Sequence, residues 1–263
     1  MAERMKKLYT FSMDKTTAAR AQPAGASLQR PNNATFPRAL SLAFQVADFI
    51  VDGIAAGSFQ FGQRLIETEL AAQLRVSRVP IREAVKILEA QGILVVTPHR
   101  GARVAEFDDL KIDRIREARL ALERLALPDA LATFQAHPEK HIALAALVAR
   151  MEAAVGRRDW IEAGKADLEF HRQLCQASDN EIVITLWEAL ARHITIVFGR
   201  ELRAEGGNPR LPEQHDRILR LIRRGALDLL DQELRKHVMR LRRADGANRT
   251  DRIDPTAKVG GSR

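Results

Sequence analysis

Between Glu67 and Val104 the apolar positions change period twice. Leu70, Ala71 and Leu74 form one stripe at helical spacing, and Ile81, Ala84, Val85 and Leu88 form a second. Ile93–Thr97 is then a mostly β-branched run, and Ala102–Val104 a shorter return. The punctuation agrees. Arg75-Val76 makes a turn, and Ser77 stands as an N-cap with a hydroxyl able to accept a backbone N–H. Pro80 falls in the first turn, where its missing N–H costs little, and Gly92 closes the helix. Pro98-His99-Arg100-Gly101 supplies a basic turn between the two strands. The pattern predicts a helix, a tight turn, a second helix and a two-stranded ribbon: a winged helix-turn-helix. Upstream, Leu40, Ala43, Val46, Ala47, Ile50 and Ile54 predict an opening helix over Ala39–Ala56. Arg64-Leu65-Ile66 predicts a short strand beside the wing.

After Phe107-Asp108-Asp109 the strand signals vanish and helical periodicity takes over. Predicted helices are Leu110–Phe134, Lys140–Arg157, Trp160–Ser178, Asn180–Arg203, Pro212–Arg223 and Ala226–Arg243. Pro128 is expected to kink or split the first, because it lacks an N–H and clashes with the preceding turn. Connections of about two to eight residues favour antiparallel neighbours. The fold class is therefore mainly α, with an N-terminal winged helix-turn-helix and a C-terminal all-α antiparallel bundle of six or seven helices. The expected organisation is a mobile basic segment over 1–38, a reading domain over 39–106, a bundle over 107–243 and a flexible tail over 244–263.

Charge modifies this picture only locally. The net charge of +8 comes from the ends. Residues 1–38 hold seven basic and two acidic side chains and residues 238–263 seven and three, which leaves the middle at −1. Within 75–103, however, six basic side chains face two acidic ones. Arg78, Arg82 and Lys86 project from the second helix at i, i+4 and i+8, away from its apolar stripe. A helix fits the major groove of duplex DNA, where guanidinium groups pair with guanine or neutralise phosphates. The competing reading is a helical hairpin with a solvated charged face. Cap, turn and basic wing together favour the DNA reader. A single cysteine, Cys175, excludes an internal disulfide framework and suits a reducing cytoplasm. No apolar run is expected to approach the roughly 20 residues that span a bilayer, so no membrane partner is expected.

Asp167 and His171 share a helix face at i, i+4, and His215 and His237 lie on the second and third helices beyond. A carboxylate and three imidazoles converging inside the bundle suit Zn²⁺, or Ni²⁺ or Mn²⁺. The alternative is that each His is a partly buried, hydrogen-bonded side chain. Trp160 and Trp187 read as core residues and Cys175 as a buried small apolar group.

The stretch ETELAAQL-x-VSR-x-PIREAVKILEAQGIL, followed by a Gly-containing wing, resembles the DNA-binding domain of GntR-type transcription regulators. REARLALERLA, ADLEFHRQLCQASDN and EQHDRILRLIRRGALDLLDQELRKH resemble the FCD effector domain of the FadR subfamily. The resemblance covers roughly residues 39–240. It implies operator contacts from Ser77, Arg78, Pro80, Arg82, His99, Arg100 and Gly101. One departure is Thr68, where some relatives carry an Arg. It also implies a divalent metal held by Asp167, His171, His215 and His237. Arg119 matches an Arg that faces the effector cavity, where a guanidinium can clamp a carboxylate, although a salt bridge to Glu123 one turn on competes. Asn180, read chiefly as an N-cap, and His193 complete the effector candidates.

The expected protein is a cytoplasmic homodimeric regulator reading an inverted repeat in double-stranded DNA. It is expected to be a repressor controlled by a small carboxylate effector at the metal. The rivals are a constitutive DNA binder with a purely structural metal site and a metal-dependent hydrolase. No further Glu, Asp or His near the set offers a clear general base, so no enzyme is expected.

Overall fold

The computed structural model describes residues 38–239. The elements run α1 (Arg38–Ala56), β1 (Arg64–Leu65), α2 (Glu67–Leu74), α3 (Arg78–Ala90), β2 (Leu94–Thr97) and β3 (Gly101–Val104). Then follow α4 (Asp109–Ala136), α5 (Lys140–Gly156), α6 (Trp160–Gln176), α7 (Glu181–Glu205), α8 (Leu211–Arg223) and α9 (Leu227–Met239). The expected tail segments, before 38 and beyond 239, lie outside the described residues.

The N-terminal part is a winged helix-turn-helix. α2 ends on Arg75 in the left-handed conformation (φ 54°, ψ 42°), which turns the chain into α3. Ile81, Ala84, Val85 and Leu88 are buried and Arg78, Arg82 and Lys86 exposed, as the pattern required. Gly92 (φ 65°) ends α3: its N–H donates to the Glu89 carbonyl, and that of Ile93 to Leu88. Ser77 has N-cap backbone geometry but, against expectation, its hydroxyl makes no capping bond. The sheet order is β1-β3-β2, antiparallel throughout, with Arg64 opposite Arg103. At the wing tip the Arg100 N–H donates to the Thr97 carbonyl, and His99 takes a positive φ of 62°.

The bundle holds six helices among the described residues. Pro128 does not split α4, which is one continuous helix from Asp109 to Ala136. Pro128 and Arg124, whose carbonyl loses its donor, are both solvent-exposed. Water can replace the missing bond there, while Leu127, Ala130 and Leu131 hold the inner face.

Two apolar clusters fill the interior. One joins α1, α3 and the wing to α4, α6 and α7; the other lies among α4, α5, α6, α8 and α9. α7 is the common wall, packing on α1, α4 and α6. Its Glu181–Arg203 stretch is long and apolar enough to span a membrane by length and composition, contrary to the expectation from sequence. Contact with three helices accounts for only part of that apolar surface, since Ile182 and Leu186 of the same stretch are exposed. At Gly199 the α1 and α7 backbones meet: a Cβ there would stand 2.3 Å from the Ala55 carbonyl oxygen. Gly199→Ala is expected to cost about 1–3 kcal/mol by overpacking. Thermal melting checks this, at about 2–4 °C per kcal/mol for a chain of this size. A melt equal to the parent's would refute the close approach.

Candidate metal centre and nucleic-acid interface

α6 places Asp167 and His171 one turn apart, while α8 and α9 bring His215 and His237 from across the bundle. Asp167, His171 and His215 are fully buried and His237 nearly so. Asp167 Oδ1 stands 3.0 Å from His215 Nε2, 3.5 Å from His237 Nε2 and 3.9 Å from His171 Nε2. His171 Nε2 lies 3.1 Å from His237 Nε2 and 3.3 Å from His215 Nε2. The outward nitrogens settle the tautomers. Each Nδ1 faces an oxygen acceptor: Glu123 Oε2 at 2.9 Å for His171, the Leu211 carbonyl at 2.9 Å for His215 and Gln214 Oε1 at 3.3 Å for His237. Each Nδ1 therefore carries the ring proton, and three Nε2 lone pairs point inward. Burial lowers the basicity of His171, and that of His237 to about 3, so both are neutral imidazoles at neutral pH.

This donor set fits a divalent cation. Asp167 Oδ1 is buried without a hydrogen-bond donor. Lone pairs facing one another and a carboxylate repel unless a cation lies between them. Ligands held about 2.0–2.1 Å from a tetrahedral centre sit about 3.3–3.4 Å apart, close to the spacings here.

On α4 next to the set, Arg119 Nε donates to Glu123 Oε1 at 2.7 Å. Arg119 Nη2 is buried with no hydrogen-bond partner and lies 3.7 Å from Asp167 Oδ2. The competing salt bridge is thus formed, and half of the guanidinium fork remains unused. Burial alone would raise the Glu123 carboxyl, but Arg119 and His171 hold it at about 2. The sequence identifies Glu123 as the salt-bridge partner of Arg119; its bond to His171 is visible only in the structure. An ion already paired with Arg119 is a poor general base.

On the reading side, Arg78, Arg82 and Lys86 form an exposed row on α3, with Ser77 exposed at its start and Pro80 buried in its first turn. Arg82 Nε is 3.3 Å from Glu67 Oε2. His99 and Arg100 are exposed at the wing tip and Gly101 half-buried. Arg64 and Arg103, opposite one another on the wing sheet and both exposed, enlarge this cationic surface. The sequence reading had not singled them out, although β1 pairing with the wing was its signal.

Residues 42–104 match the bacterial regulatory proteins of the gntR family, and residues 114–240 match the FCD domain. The chain is 31% identical over 200 residues to a probable D-xylose utilization operon transcriptional repressor of Paenarthrobacter nicotinovorans, covering 75% of this chain and 86% of that protein. The chain belongs to the gntR family of bacterial regulatory proteins. It is 30% identical over 137 residues to the gluconate operon transcriptional repressor of Bacillus subtilis (52% of this chain, 55% of that one). The structure of E. coli McbR/YncC has the same fold, with a TM-score of 0.64 at 24% identity over 76% of this chain and 96% of that one. Both families and these relatives are transcription regulators rather than enzymes, and this GntR-family chain is a DNA-binding transcription regulator.

Two spaces lie beside the Asp167–histidine cluster of this GntR-family chain, one bordered by Asp167 and the other by Arg119. An open groove of about 1000 Å³ runs between α1, α6 and α7, with Val51, Leu168 and Leu202 among its apolar lining and Asp167 at its border. A small space of about 30 Å³ lies against Arg119 and Arg116, with Val197 of α7 and Val238 of α9 among its lining. Ile194 and Phe198 line both spaces. The effector candidates Asn180 and His193 line neither. Asn180 caps α7, its Oδ1 accepting the Val183 N–H at 3.2 Å. His193 sits where α7 meets α3, donating Nε2–H to the Gln91 carbonyl at 2.9 Å. Trp160 is half-buried at the groove edge rather than in the core, unlike Trp187.

Proposed function

We propose that this chain is an operator-binding repressor whose grip on DNA is set by a small organic acid at a divalent metal, zinc or a similar ion. Residues 39–106 read the operator, and residues 107–243 sense the acid and dimerise. Asp167, His171, His215 and His237 hold the metal, which supplies a Lewis-acidic anchor for a carboxylate oxygen. The observation that carries this reading is the unpartnered Arg119 Nη2, buried beside Asp167. With a dication in place, Arg119 and the ion exceed Glu123 and Asp167 by one positive charge. One bound anion balances it. A relative named as a repressor of a gluconate operon puts sugar acids on the list of candidates.

Regulation follows from space. The space beside Arg119 is small, about 30 Å³ against about 1000 Å³ for the groove, so an organic acid held fully beside Arg119 needs α7 or α9 to yield. α7 also holds the end of the recognition helix: besides His193, its Arg192 Nη1 donates to Gln91 Oε1 at 3.4 Å. Lys111 of α4 donates to the Gly92 carbonyl at 3.0 Å. An acid that favours a shifted α7 therefore favours a shifted α3, and about 3 kcal/mol of such bias changes operator affinity about 150-fold. The homodimer brings two α3 helices to an inverted repeat. Leu125 of α4 and Ile182 and Leu186 of α7, 64%, 70% and 51% exposed on helices that pack together, offer it an apolar face.

The same small space favours a second reading, a structural metal in a constitutive DNA binder. Metal analysis with a thermal-shift screen of gluconate, hydroxy acids, dicarboxylates and aromatic acids separates the two. An acid that stabilises the zinc-loaded chain and weakens its operator complex supports sensing. Metal without any acid response supports the structural role, and a chain that retains no metal overturns both.

A further inference from the structure

Of the three imidazoles, only His171 gives its Nδ1 proton to an anion; His215 and His237 use a backbone carbonyl and a neutral amide. That anion, Glu123, is fully buried on α4 one turn beyond Arg119. Its two oxygens receive three donors: Arg119 Nε at 2.7 Å and Trp187 Nε1 at 3.3 Å on Oε1, and His171 Nδ1 at 2.9 Å on Oε2. Each donor comes from a different part of the sensor. Arg119 is the guanidinium facing Asp167, His171 is a metal ligand, and Trp187 belongs to α7.

The geometry points to Glu123 as a positioning residue of the metal centre, one that sets the His171 ring with Nε2 inward and turns the free edge of Arg119 toward the same point. This rests on the metal reading above. A carboxylate at the outer nitrogen fixes the tautomer, because it accepts and does not donate. It also makes the inner nitrogen a stronger donor to a cation. Its hold on Arg119 Nε leaves Nη2 as the edge that faces Asp167. A neutral side chain of the same shape cannot do both: a glutamine amide in its place would offer an N–H as readily as an oxygen. Arg119 would then compete for the single oxygen.

The test compares the full chain with its Glu123→Gln variant in two measurements. Nitrogen NMR of the metal-free protein reports the His171 tautomer, and titration with zinc alone reports affinity. The parent is expected to show His171 protonated only at Nδ1 before any metal is added. In the variant the ring should populate both tautomers, and zinc should bind about 10–100-fold more weakly. Glu123→Gln leaves Arg119 buried without its anion. If it does not fold, Arg119→Leu/Glu123→Leu removes both charges and leaves the His171 Nδ1 proton without its acceptor, so it carries the same expectations. An unchanged tautomer in a folded variant overturns the inference, whether or not affinity falls. An altered tautomer with parental zinc affinity overturns it too. If the parent binds no zinc, the metal reading fails, while its His171 tautomer still tests what Glu123 does.

Discussion

A chain carrying His215→Ala and His237→Ala together is expected to lose its response to divalent metal outright. The parent should melt higher with zinc than after chelation. At a free ion concentration about 1,000 times the dissociation constant, the expected gain is about 4 kcal/mol. That is a rise of roughly 8–16 °C at 2–4 °C per kcal/mol. The double variant keeps only Asp167 and His171, two ligands on one face of α6. No tetrahedral site can be closed from a single helix face, so the zinc-dependent rise should vanish and metal content fall to background. The variant will also melt lower in the absence of metal, because His215 is fully buried and fills space among Phe170 and the other rings. The decisive quantity is therefore the difference with and without zinc within each protein. A double variant that still gains as much as the parent would remove the four-residue centre from consideration.

How much of this was legible beforehand depends on the range of the interaction concerned. The reading domain is built from local signals. Gly92 at a positive φ, Pro80 in a first turn, and apolar residues that alternate between periods of 3.6 and 2 each act within a few positions, and the structure shows them as read. The centre is different. Asp167 and His171 share a face by helical arithmetic, but the meeting with His215 and His237 requires the order in which α6, α8 and α9 pack. Spacing alone left that open, and family resemblance supplied the expectation. The role of Glu123 was hidden for a related reason. In ARLALERLA, a Glu one turn from an Arg reads as a salt-bridge partner, and only the fold reveals three buried donors around it. His193 matches no ligand position in the sequence and stood only as a residue that could face the pocket. Its own face of α7 turns instead toward Gln91 and Phe107. Pro128 carried a valid local rule that lost to solvent on one side of α4 and packing on the other.

Arg78→Ala and Arg82→Ala are each expected to weaken operator binding by about 1–3 kcal/mol, or roughly 5- to 150-fold, and to relax sequence preference. Arg78 opens α3 and Arg82 lies one turn on, both solvent-exposed on the side away from Ile81 and Leu88. That is the end of a recognition helix that reaches base edges in a major groove. Arg82 has a prior engagement with Glu67 at 3.3 Å, but its side chain is 61% exposed, and such a pair is worth about 1 kcal/mol or less. A bidentate contact with guanine outweighs it. Glu67→Gln should therefore leave specific affinity unchanged or slightly raised. Arg100, at the wing tip beside His99, provides the contrast. If it meets phosphate, Arg100→Ala should lower affinity evenly across sequences and reduce the slope of log K against log salt by about one. Fluorescence anisotropy with a duplex selected from a random pool, and with a scrambled duplex, at several salt concentrations, measures all four variants together. Parental affinity for the selected duplex in both α3 variants would mean that α3 does not read the bases.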